Sequence, residues 1–236
     1  MNPFPELKTT LVELGGGVWA IDQEMVRSFI IVGDDSAVLM DAGASDCDME
    51  ALVREVTELP FEVVMTHTDG DHTASLGRFA ACRLHESEFD RLREQGIDIE
   101  CLPIADGDVI DLGGRRLEAV HIPGHTPGSM AYIDSRERIL FSGDSVSHAA
   151  VFMFGGGREP ERYIESLEKL KGMADRFDTV YPCHGELPVS PDAIDGLIAC
   201  VKGTLAGNIE PMTPGPDLPP GAEAKMYMSG DCSIFF

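Results

Sequence analysis

Residues 66–72 read Thr66-His67-Thr68-Asp69-Gly70-Asp71-His72. His67, Asp69, Asp71 and His72 carry side chains that ligate zinc, iron or manganese, and Gly70 frees the backbone to turn between the two carboxylates. Three later segments have the same character: Pro123-Gly124-His125-Thr126-Pro127-Gly128-Ser129, Leu140-Phe141-Ser142-Gly143-Asp144-Ser145 and Tyr181-Pro182-Cys183-His184-Gly185-Glu186. Each sets a His or Asp in a tight turn just after a β-like run. One such residue is commonly an ordinary polar side chain in a loop. Their recurrence in one chain points to a shared metal site, and the chemistry that such a site supports is metal-assisted hydrolysis.

The elements that must position these residues are short. Residues 18–21, 29–32 and 37–40 are β-rich runs bounded by Gly or Asp. The stretch 48–59 places Met49, Leu52, Val53, Val56 and Leu59 on one helical face, and Pro60 ends it. A strand at 62–66 runs straight into His67. Then follow a helix at 86–95 and strands at 109–112, 116–121, 130–134 and 139–142, with Gly113-Gly114 turning a hairpin. A helix over 159–173 has Pro160 in its first turn and Tyr163, Ile164, Leu167 and Leu170 on one face. A strand at 179–181 delivers Cys183 and His184, and Ser190-Pro191 marks a further helix start. The chain reads as one domain over 1–236 with a Pro/Gly-rich C-terminal extension over 205–236. In that extension 211–221 is a loop, and 225–236 forms two short strands, an edge hairpin or a flap over the site.

Composition narrows the function classes. Forty-one acidic residues against eighteen basic ones give a net charge of −23. Such a surface repels phosphate backbones and anionic lipid, so neither nucleic acid nor a membrane is expected as a partner, and a small-molecule substrate is. No apolar run reaches membrane-spanning length. The N-terminal residues lack a basic region followed by an apolar one, which predicts a cytoplasmic protein. The six cysteines form no CxxC pair and are expected as free thiols. An edge strand at 233–236 would leave a homodimer open.

The order HxxxDH at 67–72, then GHTPGS at 124–129, SGD at 142–144 and a final HG at 184–185 resembles the metallo-β-lactamase fold superfamily. The resemblance covers residues 18–201, and the strand-end Asp41 fits it too. It implies an α/β fold, the four-layer αββα metallo-β-lactamase sandwich, with a dinuclear site at one edge. It also implies two divalent metal ions, zinc first and iron or manganese as alternatives. One ion would take His67, Asp69, His125 and a bridging Asp144; the other would take Asp71, His72, His184 and the same Asp144. Asp71, His72 and Asp144 would serve catalysis, with metal-bound hydroxide attacking an ester-type bond (thioester, lactone or phosphoester), and Asp41 would hold a ligand from behind.

The superfamily's usual pattern is HxHxDH, and here Asp69 stands where the second His is expected. A third carboxylate lowers the formal charge of two divalent ions with their ligands from about +2 to about +1. That change favours harder metals and opens two alternatives: a non-haem diiron redox protein related to the flavodiiron branch, or a mononuclear site. A non-catalytic metal-binding protein on the same fold is the remaining reading. Among other polar residues, His148 either lines the pocket mouth or lies in an exposed loop. His121 reads as a core histidine and His85 as a solvent-facing one. Cys183 is a small filler or a sulfur near a metal. Gly155-Gly156-Gly157-Arg158 is a plain linker or a gate whose arginine meets an anionic substrate.

Overall fold

A computed structural model describes residues 7–212 and 224–236. The expected loop at 211–221 lies outside the described residues from 213 onward, as do residues 1–6 at the N-terminus. Thr10–Gly15 (β1), Val18–Asp22 (β2), Arg27–Val32 (β3) and Ala37–Met40 (β4) form an antiparallel meander. The helix Met49–Val56 (α1) then returns the chain so that Phe61–Val64 (β5) pairs parallel with β4. Asp48 caps α1 by accepting from Ala51 N at 3.0 Å. The helix stops before the expected Leu59, because Thr57 is already extended and its Oγ1 accepts from Leu59 N. After the single turn Gly70–Thr73 (α2), Ala81–Leu84 (β6), Phe89–Glu94 (α3) and Glu100–Pro103 (β7) complete a seven-stranded sheet in chain order.

The second sheet begins with the predicted hairpin: Val109–Asp111 (β8) pairs with Arg116–His121 (β9), Asp111 opposite Arg116. Met130–Asp134 (β10) and Ile139–Gly143 (β11) follow antiparallel. The short Val151–Phe152 (β12) lies apart. The helix Pro160–Lys171 (α4) carries the chain over to Thr179–Pro182 (β13), which pairs parallel with β11 and gives the sheet order β13-β11-β10-β9-β8. The last helix, Ala193–Leu205 (α5), starts after a turn in which Ser190 Oγ accepts from Asp192 N. Met226–Ser229 (β14) and Cys232–Phe235 (β15) form the predicted C-terminal hairpin. β15 lies between β12 and β14 in a three-stranded sheet. The edge expected at 233–236 is therefore paired on both sides, and the reason given for a homodimer falls.

Burial on both faces of the central strands makes the layers. Phe29, Ile31, Val38 and Met40 of the first sheet pack against Leu117, Ala119, Met130, Tyr132 and Phe141 of the second. The alternate residues Ile30 and Leu39 face outward onto Met49 and Val53 of α1 and Leu92 of α3. On the other side Val120, Ala131, Ile133 and Leu140 pack under Tyr163, Leu167 and Leu170 of α4 and Leu197 and Val201 of α5. Strands buried on both faces need near-continuous apolar sequence, as FIIV and AVLM supply. The result is the expected αββα sandwich. Among the described residues no helix is long and apolar enough to cross a membrane.

Topology decides where chemistry can sit. The parallel pairs β4/β5 and β11/β13 bring several strand ends to one edge of the sandwich. Asp41 and Asp144 directly follow β4 and β11, and His67 and His184 lie within three residues of the ends of β5 and β13, which puts loop side chains from both sheets within reach of one another.

Candidate metal centre

At that edge the seven residues expected as ligands come together as two groups. His67, Asp69 and His125 form one, and Asp71, His72, Asp144 and His184 form the other; within each, one ligand atom per residue lies within 4.8 Å of the rest. Asp144 touches both. Its Oδ2 is 3.7 Å from His67 Nε2, 3.6 Å from His125 Nε2 and 3.3 Å from His184 Nε2, and its Oδ1 is 3.2 Å from His72 Nε2. Asp71 Oδ2 is 3.2 Å from His184 Nε2 and 3.8 Å from His72 Nε2. Two glycines hold the turns. Gly124 has φ +135°, and a Cβ there would sit 2.4 Å from Tyr163 Cα; Gly143, before Asp144, has φ +56° with a Cβ position 2.9 Å from Thr66 Cβ. Tyr163 Oη fixes the Asp144 turn further by donating to Ser145 O at 2.6 Å.

Each imidazole is oriented from behind. His72 Nδ1 lies 2.9 Å from Asp41 Oδ2, His125 Nδ1 2.9 Å from Phe152 O, and His184 Nδ1 2.5 Å from Met25 O. These partners only accept, so each Nδ1 carries the proton and each Nε2 turns a lone pair inward. Thr66 completes the set: its Oγ1 donates to Asp41 Oδ2 at 2.7 Å and is left to accept from His67 Nδ1 at 3.0 Å. Asp41, fully buried and at φ +64°, also accepts from Thr66 N at 2.7 Å. Cys183 Sγ lies 3.5 Å from Asp41 Oδ2 and forms a third, fully buried group of potential ligand atoms with Asp41 and His72. Burial pushes that thiol's pKa up strongly.

The Nε2 atoms and the carboxylate oxygens therefore converge on one another. His67 Nε2 and His125 Nε2 face each other at 3.2 Å. His72 Nε2 and Asp144 Oδ1, though close, are not aligned as a hydrogen bond, and both are buried without a partner. Such groups are costly unless a cation joins them. The titration behaviour reflects the same crowding. Burial opposes charge on His72, but Asp144, Asp71 and Asp41 outweigh it and raise its pKa well above the usual imidazole value. Against the same burial, Asp144 and Asp71 push His184 up to about 10. Burial resists ionisation of Asp144 too, yet His184, His72 and His67 hold its carboxyl well below the usual range. Protons and a divalent ion compete for these lone pairs, and the residues present fit a metal.

Asp69 has neighbours that its position in the sequence does not announce. Arg91 Nη2 lies 2.6 Å from Asp69 Oδ1, and Arg158 Nη2 pairs with Asp69 Oδ2. That same Oδ2 is 3.4 Å from His125 Nε2 and 3.7 Å from His67 Nε2. Arg91 is shared with Glu88, whose Oε2 lies 3.3 Å from Arg91 Nε. Glu88 is fully buried and accepts from Thr68 N at 3.2 Å, Thr68 Oγ1 and Gly128 N at 2.8 Å, tying the His67 loop to the His125 loop. With two guanidiniums and one further carboxylate included, the formal charge returns to about +2, the count for a histidine at position 69. The expectation of a less positive centre is thus corrected: Asp69 brings its own counter-charges.

The remaining candidates separate cleanly. Arg158 reaches Asp69 from the Gly155–Gly157 loop, so that stretch is no plain linker. His148 is partly exposed and pairs with Glu186 at 3.0 Å. His121 is half-buried, with Nε2 3.0 Å from Pro127 O, and His85 stacks on it with ring centres 3.9 Å apart. His85 is therefore covered on one face instead of facing solvent. Glu88 and Arg91 escaped sequence reasoning because charges three apart at a helix start look like a solvated pair. The carbonyls of Met25 and Phe152 carry no side-chain signal at all.

A family model for the metallo-β-lactamase superfamily matches residues 102–184. The chain is 31% identical over 184 residues to hydroxyacylglutathione hydrolase of Aeromonas hydrophila, covering 73% of this chain and 62% of that protein. It is 26% identical over 221 residues to acyl-coenzyme A thioesterase MBLAC2 of Homo sapiens, covering 72% and 79%. To the lactamase-like protein nscB of Arthroderma benhamiae it is 27% identical over 184 residues, covering 75% of this chain and only 40% of that one. The chain thus spans less than two thirds of the length of two of these three relatives. Among solved structures it resembles a metallo-β-lactamase from Pontibacter korlensis, with a TM-score of 0.71 over 83% of this chain and 99% of that one, at 16% identity. At that identity the likeness is one of fold.

Proposed function

We propose, from the match of residues 102–184 to the metallo-β-lactamase superfamily model and the 31% identity to a hydroxyacylglutathione hydrolase, that the chain is a metal-dependent hydrolase of ester-type bonds with a dinuclear centre, acting on a small-molecule thioester. The observation that carries this is the convergence of four Nε2 lone pairs and three carboxylates, with His72 Nε2 and Asp144 Oδ1 buried and unpartnered. The thioester preference follows the relatives named as an acyl-coenzyme A thioesterase and a hydroxyacylglutathione hydrolase. Lactones and phosphoesters are the next classes to try.

His67, Asp69, His125 and Asp144 would hold one divalent ion, and Asp71, His72, His184 and Asp144 the other. Zinc suits this mixed nitrogen and oxygen set. When bound, such ions polarise a carbonyl oxygen and make water nucleophilic at neutral pH. The protein's own part is orientation. Asp41, Phe152 O and Met25 O keep the imidazoles from rotating and fix their tautomers. Asp71 is the more exposed of the two carboxylates in its group, 22% against 9% for Asp144. We assign Asp71 Oδ2 to accept a hydrogen bond from the attacking water and Asp144 to span both groups. A diiron redox centre is the alternative, and Arg91 and Arg158 offset the extra negative charge of Asp69 that favours it.

The test begins with elemental analysis of protein purified without added metal, followed by a panel of thioesters, lactones and phosphoesters. Two zinc ions per chain with thioester turnover support the reading. Two irons would redirect it to redox chemistry. Full activity in His72→Ala or Asp71→Ala would sink it.

A further inference from the structure

The two ligand groups differ in what lies behind them. In the first, both oxygens of Asp69 are already engaged, Oδ1 by Arg91 and Oδ2 by Arg158, and Oδ2 is also the oxygen nearest His67 and His125. A metal ion entering there must share that oxygen with a guanidinium and sit beside its positive charge. In the second group, Asp71 and Asp144 pair only with histidines among the described residues, and no Lys or Arg approaches either. Arg158 is not satisfied by its present contacts: its Nε is buried and without a hydrogen-bond partner, while the side chain is 11% exposed. Arg91 Nε makes no aligned hydrogen bond either, although it lies 3.3 Å from Glu88 Oε2. Arg158 also comes from a loop in which Gly155 and Gly156 have no neighbour within 4 Å of a Cβ position, whereas Gly157 lies against Arg91 Nη1 and Pro127.

Resting on the dinuclear reading above, we propose that Arg91 and Arg158 make the two subsites unequal. The Asp71–His72–His184 subsite binds its divalent ion tightly. The His67–Asp69–His125 subsite binds the second ion at least about tenfold more weakly, because two guanidiniums hold Asp69 and add positive charge beside it. Arg91 and Arg158 are then positioning residues that set metal occupancy and touch no substrate. Asp69 is the point of control, and the residue that departs from HxHxDH gives the centre a resident ion and an exchangeable one.

The experiment is calorimetric titration of the chelator-stripped full chain with zinc chloride, with zinc per chain counted after gel filtration. Wild type should show one tight and one weak zinc. In Arg158→Gln the weak class should tighten by about tenfold, while Arg158→Lys, which keeps the charge, should leave it weak. In Asp71→Asn the tight class should disappear. If Arg158→Gln does not fold, Arg91→Gln makes the same test. Two equally tight zinc ions in wild type, or an unchanged gap in the glutamine variants, would overturn the inference and leave the hydrolase reading standing. Binding of no zinc would overturn both.

Discussion

Among the described residues, the fully buried Arg115–Asp134 pair and the partly buried arginines around Asp69 are built to opposite rules. Arg115, with no exposed surface, donates through Nε to Asp134 at 3.0 Å and pairs with it again through Nη2. Its Nη1 reaches Gly16 O at 2.9 Å, Gly17 O at 3.2 Å and Val32 O at 2.9 Å. All three nitrogens are used, and the contacts join the first sheet to the second. Around Asp69, by contrast, two arginines crowd one carboxylate, and neither Nε makes a hydrogen bond, although Arg91 Nε lies 3.3 Å from Glu88 Oε2. A closed polar network stabilises a fold; one with unmade bonds holds charge in place for something else. The difference identifies which buried charges belong to architecture and which to the site.

The largest effect should fall on the closed centre. Arg115→Met leaves Asp134 without its cation in a buried position and removes a donor from Gly16 O, Gly17 O and Val32 O, of which Gly17 O keeps Val32 N, and this should cost about 3–5 kcal/mol of unfolding free energy. Urea denaturation measures it, and zinc content per folded chain should not change. A loss under about 1 kcal/mol would mean that Arg115 is no more architectural than Arg158. The next largest lies at the residue common to both ligand groups. Asp144→Ala should reduce thioester turnover by ~10³-fold or more, equivalent to about 4 kcal/mol, while the far-ultraviolet spectrum stays native. Turnover within tenfold of wild type would remove Asp144 from the centre.

Much of this was legible in the residues, and the rest was hidden for identifiable reasons. Strands with continuous apolar sequence such as 29–32 and 37–40, and turns such as Gly113-Gly114, announce themselves. So do ligands in tight turns, because His and Asp directly after a β-run have few structural uses. β1 was missed because only its second and fifth residues are even partly covered, so no alternation shows; β7 ends in Pro103, which weakens a strand reading. β12 is two residues long and exists through β15, far along the chain. The arginines at Asp69 are the costliest omission: Arg91 sits among helix charges and Arg158 beyond three glycines, and nothing local says that their tips meet. Ligand types follow from sequence, whereas counter-charges follow from tertiary packing.

A third, smaller effect probes the support behind a ligand. Asp41→Asn keeps the size of the side chain but lets an amide nitrogen face His72 Nδ1, Thr66 N or Thr66 Oγ1, where only acceptors serve. Zinc affinity should fall about 10–100-fold, the usual consequence of losing a carboxylate behind a ligating histidine. Zinc competition with a chromophoric chelator reads it directly. An unchanged affinity would place Asp41 with the architectural charges, beside Asp134.

The smallest effect sharpens the comparison most. Arg158→Gln removes a buried guanidinium, and by the Arg115 rule that should be severe. Here it should not be. Asp69 keeps Arg91, so no carboxylate is stranded without a partner, and the loop that carries Arg158 keeps the approach of Gly157 to Pro127. Unfolding free energy of the metal-free protein should change by about 1 kcal/mol or less, in either direction, since one of two like charges beside a single carboxylate is being taken away. Urea denaturation in the presence of chelator measures this without any contribution from bound ions. A loss near the Arg115→Met value would show that Arg158 is fastening the loop as part of the fold, and the division between closed and open centres would then not hold.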